Sequence, residues 1–467
     1  MTIFTLDHTP ILSIAAVYQS DERKILGIEI ENAFKPNLVG NIYAGKVIAI
    51  ADGMEGAFVD VGLKSNAYIQ RKELLRALKI TPAKVKDTPL SQLVKKGQMI
   101  LTQLDKAPYQ TKGAQLTNEI SLSGEHVVLM PYMKGIKFSR KAMGMTDFDA
   151  FEKSLSTSID KNTGVIIRSS AIQNQIPIET IVDEIKKLGV LWQSILHAFD
   201  LTHTIKCLYQ MDAFRESTLD MIKVNQIDQF FLDREEDKLW LIEKGIDKKK
   251  ISVKMPSTAL FQEKGIPLDA YINDVHFSSN LGVSITLNEL EAFTIVDVNS
   301  GKMNMERKTI FQVNDFASKL VLEHILLRNI SGIVLVDFVE MTSDEKLSFI
   351  QHLIGSGFDK TNGITIHGFT TLGILEITRR REKPSLRDLL SFDFEAADLN
   401  HWQMNDLYIE LRRIQNHTNA TTVSVEVEEA IYVLLRQTQL FGGLNLKVSL
   451  KNISSKQKKY RIQTSKD

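Results

Sequence analysis

Apolar positions along this chain fall into two periods, and the clearest switch between them lies from Ala292 to Met341. Thr294-Ile295-Val296-Asp297 and Val334-Leu335-Val336-Asp337 are short β-branched runs that each close on an aspartate, and such runs read as buried strands. Between them Ile310, Val313, Ala317, Leu320, Val321 and Leu327 recur mostly at three- and four-residue spacing, which predicts a helix broken by Arg328-Asn329-Ile330-Ser331-Gly332, with Gly332 as the candidate stop. Strand, helix and strand at this separation make a parallel crossover. Both aspartates then emerge side by side at the carboxyl edge, where open α/β sheets bind ligands.

Elsewhere the pattern is dominated by short strands. Residues 11–17 and 25–30 alternate around an Asp21-Glu22-Arg23 turn; two strands alone are marginal, so this hairpin needs a partner. The runs 228–233 and 238–242 are the candidate partner strands. Strand patterns follow at 41–50, 57–62, 66–69 and 98–104, separated by turns such as Asp52-Gly53-Met54-Glu55-Gly56. That spacing predicts a small antiparallel barrel. Residues 121–205 mix strand and helix, with a strand at 164–170. The C-terminal part alternates helix (405–415), strand (421–427), helix (430–437) and strand (444–450), and the basic tail from Lys451 reads as loose.

Composition narrows this picture. A chain of 467 residues, 43% apolar and 24% charged, is an ordinary globular protein of two to four domains. Formal net charge is zero, so any surface for nucleic acid has to be local. The single cysteine, Cys207, excludes an internal disulfide and a cysteine-built zinc site, and fits a reducing cytoplasm. The N-terminus has no signal-peptide pattern, and no apolar run is long enough to span a membrane.

Three constellations carry chemistry. Asp297 and Asp337, flanked by Asn299 and Glu340, bring together carboxylates that repel unless a cation lies between them; hard oxygen donors favour Mg²⁺, with Mn²⁺ as the alternative. Without a cation the aspartates would simply end their strands. Arg168-Ser169-Ser170 offers guanidinium and hydroxyl donors to a phosphate, although an isolated arginine reads equally as surface. Phe58 and Tyr68, with Lys46, Lys106 and Lys112 nearby, suit a surface that stacks bases and tracks phosphates; the competing reading puts Phe58 in the core.

The stretch GNIYAGKVIAIADGMEGAFVDVG resembles the S1-type RNA-binding barrel of the ribonuclease E/G family, and VDVNSG with VDFVEM resembles that family's catalytic pair. Thr111-Lys112-Gly113-Ala114, Val127 to Pro131, Ile167-Arg168-Ser169 and Gly373 to Arg379 agree, so the resemblance runs from about residue 36 to residue 382. It implies a multi-domain α/β chain: a ribonuclease-H-like subdomain (1–36 and 206–275) without an active site, an S1-type OB domain (37–120), a 5′-sensor region (121–205), a deoxyribonuclease-I-like catalytic domain (276–397) and a small C-terminal domain (398–467). It also implies a Mg²⁺-dependent endoribonuclease acting on single-stranded RNA and leaving 5′-phosphate and 3′-hydroxyl ends. Asp297 and Asp337 would ligate the metal, Asn299 would orient the site, and Val128, Arg168 and Ser169 would sense a 5′-monophosphate, with serine standing where the family has threonine. Phe58, Tyr68 and Lys112 would grip RNA. No cysteine occurs between Arg381 and Asn400, so the family's zinc link between protomers cannot form, no structural zinc is expected, and a homo-oligomer would need another surface. The apolar stripe Leu386, Leu389, Leu390 and Phe392 offers one, unless it packs on its own domain. The alternatives are an RNA-binding relative with weak catalysis, or another metal-dependent phosphodiesterase.

Overall fold

The computed structural model of the chain describes residues 1–78, 80, 88–108, 113–139, 148–156, 164–254, 259–268, 271, 277–278, 282–290, 292–300, 307–358, 363–381, 383–390, 401–417, 422–427, 432, 435, 441, 444, 447–452 and 460–465. It divides into two compact units: residues 37–213, and residues 1–36 together with 214–467. Strands are numbered β1 to β24 in chain order.

In the discontinuous unit, β1 (Thr2–His8), β2 (Leu12–Gln19) and β3 (Lys24–Asn32) form an antiparallel meander, and β14 (Gln229–Leu232) and β15 (Ile251–Val253) extend it in the order β15-β14-β1-β2-β3. The hairpin therefore finds its partner in β14, through the parallel pairing of β1. The expected strand at 238–242 is instead part of the helix Glu235–Glu243. Glu235, Glu236 and Asp237 fill its first turn, where acidic side chains favour the positive end of a helix. Phe4, Leu6, Val17, Phe230, Leu232 and Leu241 form the core on one face.

The second sheet of this unit has the order β16-β17-β18-β19-β21-β20. Its central strands, β18 (Phe293–Asn299) and β19 (Gly332–Asp337), are parallel and joined by the helix Arg307–Leu327. β16 (Phe277–Ser278) and β17 (Ser284–Glu289) lie on the β18 side, and β21 (Ile374–Arg379) and β20 (Ile364–Phe369) lie on the β19 side. Val296, Val334 and Val336 pack with Val313, Ala317, Val321 and Ile325 of the crossover helix and with Phe349 and Leu353 of the helix Ser343–Gly355.

The helix His401–His417 packs with β22 (Thr422–Val427), which pairs with β23 (Lys447–Asn452) in parallel and β24 (Tyr460–Ser465) antiparallel. The tail expected to be loose thus supplies an edge strand, with Ile462 opposite Val425 and packed on the core. Most of the helix expected at 430–437 lies outside the described residues. The helix Leu386–Leu390 buries Leu386 and Leu390 in the same core. That part of the apolar stripe is spent inside this unit, and Phe392 lies outside the described residues.

In the continuous unit, β4 (Ile42–Ala51), β5 (Gly56–Asp60), β6 (Ala67–Gln70), β8 (Gln115–Thr117) and β7 (Met99–Lys106) pair in that order, and β7 returns to β4. This is a closed five-stranded barrel, filled by Val47, Ala57, Val59, Ala67, Ile69, Ile100 and Leu104. Beside it, β11 (Gly135–Phe138), β12 (Gly164–Ile167), β10 (Val127–Leu129) and β9 (Leu122–Ser123) form a small sheet covered by the helix Ile178–Asp200. β13 (Lys206–Tyr209) pairs with β4. Among the described residues no helix is long and apolar enough to cross a membrane.

Candidate active site

Strand alternation decides where the aspartates point. Thr294, Val296 and Val298 of β18, and Val334 and Val336 of β19, are buried. Side chains of the opposite parity, Asp297, Asn299 and Asp337, therefore stand on the other face and are exposed. Asp297 and Asp337 are register partners across the parallel ladder, on strands about 4.8 Å apart. β19 ends on Asp337 as expected, while β18 runs two residues past Asp297 to Asn299.

The row across four strands reads Thr286, Asp297, Asp337, Ile374. Two acids lie side by side with no basic residue next to either in the ladder, an arrangement that destabilises a sheet. Among the described residues neither carboxylate has an ion-pair partner. Asn299 Nδ2 donates to Asp297 Oδ2 at 2.8 Å, which holds one oxygen of that carboxylate. Paired hard oxygen donors of this kind suit a Mg²⁺ or Mn²⁺ ion.

The loop after Asp337 is clamped from below. Buried Asn314 on the crossover helix donates through Nδ2 to the Val339 carbonyl at 2.8 Å and accepts from the Val339 amide at 3.0 Å. The sequence reading missed this residue; its signal was a lone amide beside Val313 on the apolar face of the helix. Thr342 and Glu345 then form a reciprocal capping box that starts the next helix.

The crossover helix does not stop through Gly332. Asn329, at φ 51°, closes it in the left-handed conformation. The Ile330 amide returns to the Ile325 carbonyl and the Asn329 amide to that of Leu326. Arg379 Nη1 donates to the Ile330 carbonyl at 2.8 Å and to Asn329 Oδ1 at 3.0 Å. Arg379 therefore caps this helix end. His324 is buried and stacked on Tyr271 with centroids 4.7 Å apart; burial pushes its pKa down to about 3. The imidazole is neutral at physiological pH and structural.

In the continuous unit, Val128 lies on β10 and Arg168 follows β12 directly. Val127 pairs with Ile167, Val128 with Ile166, and the Arg168 amide donates to the His126 carbonyl at 2.8 Å. Ser169 begins the short helix Ser169–Gln173. All three side chains are half-buried.

On the barrel, Phe58 and Tyr68 are register partners, with ring centroids 5.9 Å apart in an edge-on arrangement. Their neighbours Ala57, Val59, Ala67 and Ile69 fill the interior. Both rings therefore lie on the outer surface, half-exposed, and Phe58 is not core. Tyr68 Oη donates to the Met54 carbonyl at 2.6 Å, so its ring lies across Gly56, where an added Cβ would meet Tyr68 Oη at 2.4 Å. Lys46 and Lys106 are exposed on this unit, and Lys112 lies outside the described residues.

A family-level sequence model described as ribonuclease E/G family matches residues 121–382. The chain is 27% identical over 381 residues to ribonuclease G of Escherichia coli (strain K12), covering 78% of this chain and 77% of that protein. It is 28% identical over 389 residues to ribonuclease G of Haemophilus influenzae, covering 78% and 76%. It is also 26% identical over 399 residues to ribonuclease E of a Nostoc species, covering 80% of this chain and 55% of that longer protein.

Proposed function

Because the chain belongs to the ribonuclease E/G family, we propose that it is an endoribonuclease that cuts single-stranded RNA with Mg²⁺ and favours 5′-monophosphorylated substrates. The observation that carries the reading is the direct pairing of Asp297 with Asp337 across adjacent parallel strands. Those two carboxylates would hold the ion, and Asn299 would keep Asp297 turned toward it. A bound divalent cation supplies hydroxide at neutral pH and offsets charge developing on the scissile phosphate. In-line attack at phosphorus breaks the bond to the 3′ oxygen, leaving a 5′-phosphate and a 3′-hydroxyl. Phe58 and Tyr68 on the barrel surface, with Lys112, would stack and grip bases that only unpaired RNA leaves free. The barrel is then the S1-type domain, and the six-stranded sheet carrying the aspartates belongs to the deoxyribonuclease-I-like domain. Incubating the protein with a 5′-monophosphorylated, A/U-rich oligonucleotide should give internal cuts in Mg²⁺ and none in EDTA; equal cutting in both would reject the reading.

The 5′-end preference is assigned to Val128, Arg168 and Ser169. A charge-assisted hydrogen bond contributes about 1.5–3 kcal/mol, so Arg168→Ala should reduce the preference for 5′-monophosphorylated over 5′-hydroxyl RNA by about tenfold or more. Equal slowing on both substrates would show that Arg168 does not sense the 5′ end.

Any homo-oligomer rests on non-covalent surface without a zinc link. Its mass in solution should be the same before and after treatment with EDTA; dissociation on zinc removal would contradict this.

A further inference from the structure

A second constellation lies in the N-terminal five-stranded sheet. His8 ends β1, Asp233 directly follows β14, and Asp237 lies in the first turn of the helix Glu235–Glu243. β1 and β14 are adjacent and parallel, so their carboxyl ends open on the same edge, as binding edges of α/β sheets do. One ligand atom from each of His8, Asp233 and Asp237 lies within 4.8 Å of the others.

The three side chains are prepared differently. His8 Nδ1 is 3.0 Å from Ser13 Oγ, and its Nε2 faces Asp237 Oδ2 at 2.8 Å. An oxygen partner on one ring nitrogen, with the other directed at carboxylates, is how proteins orient a metal-binding imidazole. Asp233 is only 8% exposed. Its Oδ2 accepts the His8 amide at 2.7 Å, while its buried Oδ1 has no hydrogen-bond partner. An unsatisfied carboxylate oxygen at that depth is costly. Arg215 Nη2 reaches Asp237 Oδ1 at 3.2 Å and leaves Asp237 Oδ2 toward the cluster.

We propose that His8, Asp233 and Asp237 form a divalent-cation site, separate from the Asp297–Asp337 pair, that ties β1 and β14 to the helix Glu235–Glu243. One imidazole with two carboxylates suits a transition ion, Zn²⁺ or Mn²⁺, better than Mg²⁺. The site is independent of the catalytic assignment and needs no cysteine.

The test uses the full-length Asp297→Asn/Asp337→Asn protein, so that the catalytic pair does not bind the probe. After stripping with EDTA, it is titrated with ZnCl₂ and, separately, MnCl₂ by calorimetry, with the bound metal assayed after dialysis. The expected result is one equivalent of ion, an upward shift of the thermal midpoint, and binding at least about tenfold weaker when Asp233→Asn or Asp237→Asn is added. X-ray absorption of the Zn²⁺-loaded protein should show one imidazole among oxygen ligands at about 2.0–2.2 Å, a readout that does not depend on either variant folding. No retained ion, undiminished binding in a folded Asp233→Asn protein, or a shell without imidazole would show that the cluster is only a His8–Asp237 hydrogen bond.

Discussion

Asp297→Asn and Asp337→Asn should each abolish RNA cleavage while leaving the fold and RNA binding nearly unchanged. An amide keeps the shape of the side chain and loses the charge that holds a cation. Metal stabilisation of phosphoryl chemistry is worth several kcal/mol, at about 1.4 kcal/mol per tenfold in rate, so the rate in Mg²⁺ should fall by about a thousandfold or more. Both side chains are exposed, and the pair consists of like charges in direct register. Without Mg²⁺, each substitution should therefore leave the thermal midpoint unchanged or raise it slightly. Cleavage of a labelled oligonucleotide and its retention in a gel-shift assay measure the two halves. A variant cutting near the wild-type rate would remove these residues from the chemistry.

Glu289→Ala should lower the stability of the same sheet strongly. Arg328 Nη2 lies 2.9 Å from Glu289 Oε1, with the two side chains 1% and 9% exposed. The pair joins the end of β17 to the end of the crossover helix, and Arg328 also receives the Leu386 amide on its carbonyl at 2.9 Å. Burial raises the Glu289 pKa, and Arg328 opposes that shift. Removing one member of a buried pair leaves the other charged and desolvated, at a cost of about 3–5 kcal/mol. Replacing both, as Glu289→Leu with Arg328→Met, should cost much less. Urea unfolding, followed through the transition that abolishes cleavage, compares the variants; a loss under about 1 kcal/mol for Glu289→Ala would mean that Arg328 finds other support.

Much of this site was legible in the sequence because its signals are local. Two β-branched runs each closing on an aspartate, with an apolar three-and-four pattern between them, predict the crossover and hence the Asp297–Asp337 pairing without any long-range information. The barrel was legible in part: β4, β5 and β6 follow one another through short turns, but β8 gave no strand pattern, and its parallel pairing with β6 corrects the expected all-antiparallel barrel. Other features depended on distant contacts. Leu239-Trp240-Leu241-Ile242 reads as a strand by itself, but the acids before it start a helix, and Ile251–Val253 takes the expected place beside β14. The Lys-rich tail hides Tyr460–Ser465, whose strand exists only because β22 offers an edge. Asn314 and Arg379 look like surface polar residues until the backbone groups they satisfy are known. The cluster of His8, Asp233 and Asp237 joins residues more than 220 positions apart, a separation no local pattern spans.

The most direct test of the hydrolytic reading is cleavage of a single-stranded oligonucleotide with Mg²⁺ in ¹⁸O-enriched water, followed by mass analysis of both product ends. Attack by water at phosphorus places one heavy oxygen on the new 5′-phosphate and leaves an unlabelled 3′-hydroxyl. A 2′,3′-cyclic phosphate, or label absent from the 5′-phosphate, would contradict the role assigned to Asp297 and Asp337.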